Sequence, residues 1–247
     1  MLSFGSLFRQ PFIPGEMPEM TTLIDLAKAS VQELNVELQS QTSEKNDKTY
    51  TIHNPNGAHA IAVGLTRPVY VKIKGHVGYY CGGMNQNAIL EINGNAGTGV
   101  AENIISGEVR VKGNASQSVG ASGQGGLVAI QGDASARCGI SMKGVDIVVG
   151  GSVGHMSAFM AQAGNLVVCG NAGHNLGDSI YEAKIYVAGK VQSLGSDCIE
   201  KDMTESHKTN LEQLLQRSKI SANASRFKRF GSARKLYNFK VQNAQKY

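Results

Sequence analysis

The chain contains no tryptophan, few aromatics (6%) and few charged residues (17%). So little charge argues against a disordered polyelectrolyte, and the glycines lack the strict triplet period of collagen. No apolar run reaches the ~18 residues of a membrane span. Met1 to Gly15 has a single arginine and no long apolar core, so a secretory signal is not expected. The four cysteines show no C-x-x-C spacing, which argues against a zinc knuckle and an iron–sulfur cluster. No GxGxxG, GxxxxGK[ST] or GxSxG pattern occurs, so nucleotide cradles and a hydrolase elbow find no support. A cytoplasmic protein with free thiols is the expectation.

Glycine is what the chain has in excess: 30 of 247 residues, well above the ~7% of ordinary proteins. Charge is unevenly placed. Residues 199–247 hold 11 Lys and Arg against 4 Asp and Glu, a balance of +7, while the other 198 residues hold 13 against 15, or −2. The formal net charge of +5 therefore belongs to a C-terminal tail.

The glycines carry a period. Gly75, Gly94, Gly113, Gly132, Gly151, Gly170 and Gly189 follow one another at intervals of 19 residues. Two positions before each stand Ile73, Ile92, Val111, Ile130, Val149, Val168 and Val187. Four before stand Val71, Leu90, Val109, Val128, Ile147, Leu166 and Ile185; two after stand Val77, Ala96, Ala115, Ala134, Val153, Ala172 and Val191. Apolar residues at alternate positions mark a strand with one face inward. A glycine then turns the chain where side chains would collide or φ must be positive. One interval held this long predicts an all-β fold, a single-stranded parallel β-helix of seven 19-residue coils stacked at ~4.8 Å. A β-sandwich with glycine-rich turns would not keep a single interval.

The outward strand columns change along the rod. Lys72, Glu91 and Arg110 give way to Ala129, Val148, Val167 and Tyr186. An exposed apolar strip lies under something, either the chain's own terminal arm or a partner subunit. Short helical extensions flank the coils. Ser30-x-x-Glu33 is a capping box, with Val31, Leu34 and Leu38 on one side of the helix it starts. Tyr50 to Leu65 reads as an irregular segment closing the open end. Thr204 to Ile220 reads as a second helix with Leu211, Leu214 and Leu215 inward, followed by a basic-aromatic tail. Three segments result: 1–66 as N-terminal arm and irregular entry coil, 67–198 as the β-helix, 199–247 as helix and basic-aromatic tail.

Candidate chemistry is sparse. Glu102 and Asp178 share a column four coils apart, about 19 Å. Glu108 and Asp146 share another two coils apart, near 10 Å, at best marginal for a glycosidase pair. Cys81 and Cys138 lie three coils apart, beyond disulfide reach. His155 and His174 stack in adjacent coils about 5 Å apart and are weak metal candidates without a third ligand. The tail suits either RNA contact or docking on an acidic protein surface, and its place beyond a packed helix favours docking.

Several stretches then become recognisable: Gly57-Ala-His-Ala-Ile-Ala-Val-Gly, Gly75-His-Val-Gly-Tyr-Tyr-Cys, Gly94-Asn-Ala-Gly-Thr-Gly-Val-Ala-Glu-Asn, Ala136-Arg-Cys-Gly-Ile-Ser-Met-Lys-Gly and Gly151-Ser-Val-Gly-His-Met. They resemble the GXGXG β-helix of glutamate synthase large chains, a domain that also forms a subunit of formylmethanofuran dehydrogenase. With its tail Gly231-Ser-Ala-Arg-Lys-Leu-Tyr-Asn-Phe, the chain most resembles the GXGXG subunits of N-methylglutamate synthases (methylamine–glutamate N-methyltransferases). The resemblance runs from about Asp25 to Tyr247. It implies a scaffold between an amidotransferase-like subunit and a synthase subunit that holds FMN, with no cofactor or catalytic residue in this chain. The residues expected to dock are Val148, Val167 and Tyr186 of the strip and Arg226, Lys228, Arg229, Arg234 and Lys235 of the tail. A stand-alone binding module using the basic tail, or a scaffold in a glutamate synthase assembly, are the other readings.

Overall fold

A computed structural model describes residues 21–40 and 49–234. Eleven strands form one sheet that continues through the whole rod. In chain order they are β1 (Thr21–Asp25), β2 (Thr49–His53), β3 (Tyr70–Lys74), β4 (Ile89–Ile92), β5 (Glu108–Val111), β6 (Leu127–Ile130), β7 (Lys143–Val149), β8 (Ala163–Val168), β9 (Lys184–Val187), β10 (Cys198–Lys201) and β11 (Lys228–Ser232). Helix α1 (Val31–Gln39) follows β1, and helix α2 (Glu205–Ser218) and a 3-10 turn (Ala224–Arg226) follow β10. From β1 to β9 every neighbouring pair is parallel. The expected parallel β-helix is therefore the observed fold.

The 19-residue register is literal: Ile73 lies beside Ile92, Ile92 beside Val111, Val111 beside Ile130. The columns four and two positions before each glycine are fully buried. The column two after it forms a second ladder of single bridges from Val77 through Ala96, Ala115, Ala134, Val153 and Ala172 to Val191. The period glycines stack directly, Gly113 N–H donating to Gly94 O (3.0 Å), Gly132 to Gly113 (3.0 Å) and Gly151 to Gly132 (2.9 Å). A Cβ on Gly94 would stand 2.4 Å from the carbonyl oxygen of Gly75. Close backbone approach, rather than a left-handed turn, makes glycine obligatory there.

A ladder not expected from the sequence runs one position later. His76 Nδ1 accepts from Asn95 N (2.8 Å), Asn95 Oδ1 from Asn114 N (2.9 Å) and Asn114 Oδ1 from Asp133 N (2.8 Å). Asp133 Oδ1, Ser152 Oγ and Asn171 Oδ1 continue it to the backbone of Ser152, Asn171 and Lys190. Each coil thus ties the corner of the next with a side-chain acceptor. The third side of the coil is made of successive turns, with left-handed residues at alternate positions: Tyr80, Gly82 and Met84, then Gly99, Ala101 and Asn103, and so on through Asn175, Gly177 and Ser179. Each non-glycine there costs roughly 1 kcal/mol in isolation, a strain the stacked coils hold in place.

The segment near Tyr50 is more regular than expected. Its strand β2 is a full parallel rung beneath β3, with β1 beneath it in turn. The interval from Ile52 to Ile73 is 21 residues, because the corner at Asn54 and Asn56, both left-handed, is longer than in later coils. Closure of this end falls to α1 instead. Ser30 and Glu33 form the expected capping box, and Leu34 and Leu38 are buried. Asn35 clamps the coil below, donating to Ala60 O (2.8 Å) and accepting from Ala62 N (2.9 Å).

Candidate functional site

The C-terminal arm decides what the outer face presents. Thr204 caps α2, which lies along the sheet with Leu211, Leu214 and Leu215 buried. Together with Ile220 and Phe227 they form one apolar cluster with Leu127, Ala129, Val148, Val167 and Tyr186. Val148, Val167 and Tyr186 are fully buried, so the chain's own arm covers the strip. The expectation that these three residues meet a partner is corrected accordingly. The physical reason is the helix: each buried leucine removes enough apolar surface to contribute about 1.5–3 kcal/mol, which holds the arm down. The Tyr186 hydroxyl, beside Asn210, makes no hydrogen bond of normal geometry, and burial pushes its phenol upward.

Polar contacts fix the arm lengthwise. Arg217 reaches Asp146 (3.4 Å), Asn165 donates to Asp146 (2.7 Å) and Asn210 donates to Asn165 (3.2 Å). At the other end of the helix, Arg110 donates to the carbonyl oxygens of Ser218 (3.0 Å) and Arg217 (2.8 Å). Glu108 braces the same guanidinium at 2.6 Å. The carboxylates considered as an acid/base pair, Glu108 and Asp146, are thus each engaged with an arginine.

Beyond α2 the chain turns back and enters the sheet. Strand β11 inserts between β9 and β10, antiparallel to both, with Phe230 facing Ile185 in the core. The tail residues expected to dock are therefore partly spent on this chain. Lys228 pairs with Glu200 (3.0 Å), Arg234 with Asp197 (2.7 Å), and Arg229 donates to the Asp202 carbonyl (2.8 Å). Arg226 is exposed, and Lys235 lies outside the described residues.

His155 and His174 sit exposed at equivalent positions of adjacent coils. His174 Nδ1 lies 3.2 Å from Ser193 Oγ. Among the described residues no group of three or more His, Cys, Asp or Glu side chains is placed to hold a metal ion. Cys81 and Cys138 are buried in the core, where desolvation pushes their thiols up to about 12. Cys169 and Cys198 are pushed up to about 11 by the same cause. These thiols are poor nucleophiles at neutral pH.

The exit end of the rod carries features that the charge count alone did not locate. A depression of about 220 Å³ opens where β9, β11 and β10 meet, lined among others by Glu182, Lys184, Lys201, Arg229, Gly231 and Arg234. The register explains the convergence. Arg229 pairs with Tyr186 on one side and Lys201 on the other, so all three share the outer face, and Lys184 lies two residues along from Tyr186. Burial, then Arg229 and Lys184, hold the nearby His207 imidazole below its ordinary value. A second hollow lies between Val191, Leu194 and Phe230, where Lys228 and Glu200 also line it. No helix among the described residues is long and apolar enough to cross a membrane.

No protein-family model matches the chain. It is 60% identical over 226 residues to Protein GlxC of Rhizobium meliloti (strain 1021), a match covering 91% of this chain and 99% of that protein. With the match spanning nearly all of both proteins, the chain belongs to the GlxC family.

Proposed function

We propose that this chain is the noncatalytic β-helix subunit of a cytoplasmic, heteromeric N-methylglutamate synthase. In this reading it links an amidotransferase-like subunit to a synthase subunit that binds FMN, and the complex converts methylamine and glutamate to N-methylglutamate and ammonia. The observation that carries the reading is the coil itself. The glycines by which the sequence resembles the GXGXG β-helix are stacking positions, where backbone meets backbone at 2.8–3.0 Å between coils. The resemblance is therefore one of architecture, which suits a part whose role is to hold others at fixed separation. GlxC, spanned almost end to end by the match, supports a free-standing β-helix rather than a domain of a large synthase chain.

The test is recovery of the tagged chain from its native host, with the flavin absorbance of the eluate recorded. A yellow complex with two further subunits that forms N-methylglutamate from methylamine is the expected result. A lone, colourless protein under gentle conditions would overturn the reading. Ammonia in place of methylamine as the preferred amine would assign the scaffold to a glutamate synthase assembly instead.

A further inference from the structure

We infer that the basic depression at the exit end is a docking socket for an acidic side chain of a partner polypeptide, an inference that rests on the scaffold reading. Its lining sets Lys184, Lys201, Arg229 and Arg234 against one carboxylate, Glu182. Arg234 is matched by Asp197. Among the described residues Lys184, Lys201 and Arg229 have no carboxylate partner. Three unmatched cations beside one hollow set up a field that draws in negative charge. Residues 235–247, which follow directly, add Lys235, Lys240 and Lys246 and no acidic side chain.

Gly231 is a second, independent sign. Every other described glycine either has a positive φ or would bring a Cβ within 2.8 Å of a neighbouring atom. Gly231 does neither, since its nearest contact would be the Ala183 carbonyl oxygen at 3.8 Å. Backbone geometry therefore does not require glycine at this point in β11. The missing side chain does keep the hollow open on the face that Arg229 and Lys201 share. A hollow lined by several cations and by a glycine that leaves room for a side chain fits an Asp or Glu carried on an extended segment.

The test uses the full chain and two variants, Lys184→Glu with Lys201→Glu, and Gly231→Leu. Circular dichroism and a thermal melt first establish that both remain folded. Calorimetric titration with an oligoglutamate peptide at low salt is expected to show binding that each variant weakens by about tenfold. Loss in Gly231→Leu separates the socket from diffuse attraction, because that change leaves every charge in place. No binding, or equal binding in all three proteins, would overturn the inference. Inorganic phosphate binding as tightly as the peptide and displacing it would also overturn it, in favour of a small-anion site. In parallel, the tagged chain and the double variant are recovered from the host. If the unaltered chain brings down no partner, the scaffold reading falls, while the peptide titration still decides the socket.

Discussion

Arg110, in β5, donates to the carbonyl oxygens of Arg217 and Ser218, more than a hundred positions later in the chain. The contact places a cation at the negative end of α2, where unpaired helix carbonyls gather. It is also the point where charged outer coils give way to covered ones. Replacing Arg110 with alanine removes this cap and strands Glu108 without its partner. Loosening of the arm by about 1.5–3 kcal/mol is expected. Hydrogen exchange should show it as faster exchange across 205–218 with the coils unchanged.

Val148 supplies a sharper test of the cover. It is fully buried beneath α2. Val148→Asp would place an unpaired carboxylate there, at an expected cost of about 3–5 kcal/mol. Lys74→Asp, at an exposed position of the same outer face on an uncovered coil, should change stability by less than about 0.5 kcal/mol. Urea midpoints of the two variants compare the positions directly, and similar midpoints would refute the covering arm.

Two glycines should respond in opposite ways to one added methyl group. Gly94→Ala drives a Cβ to 2.4 Å from a backbone oxygen that has no room to retreat, so a loss of about 3 kcal/mol or more is expected. Gly231→Ala meets nothing closer than 3.8 Å and should leave the melting temperature nearly unchanged.

Alkali should weaken the fold by way of its buried thiols. Cys81 and Cys138 are held protonated to about 12 when folded, against an ordinary value of 9.0. Above pH 9 the unfolded chain releases these protons and the folded chain does not, so stability falls as pH rises toward 12. Denaturation midpoints from pH 8 to 11 should decline steadily, and the Cys81→Ala, Cys138→Ala double variant should flatten part of that slope. At pH 8 a thiol reagent should modify the partly exposed Cys169 first and the two core cysteines only after unfolding.

The period of 19 was legible because the coil columns repeat residue type: β-branched or leucine in the strands, glycine at the corner. The acceptor ladder escaped notice because His76, Asn95, Asp133 and Ser152 share a hydrogen-bonding capacity rather than a residue type. The β2 rung escaped because the longer corner at Asn54 and Asn56 breaks the interval. Strand β11 escaped for another reason. Its Lys-Arg-Phe-Gly-Ser sequence has one inward apolar side chain, Phe230, and takes its pairing from β9 and β10 rather than from any pattern of its own. The candidate socket depended on that strand: basic charge was visible in the tail, but Lys184 and Lys201 join Arg229 only once β11 lies between their strands.

The glycine stack and the acceptor ladder keep the same geometry from coil to coil, and each rung of the two ladders bonds only to the next. Such a rod has no intermediate lengths. Gain or loss of a few residues within a coil would throw both ladders out of phase, whereas gain or loss of one whole coil would leave them joined. The length of the rod is therefore quantised, changing in increments of about 4.8 Å. Deleting residues 75–93 as a block, which spares Arg110, Leu127 and Ala129 where the arm is held, should yield a rod one increment shorter that still folds.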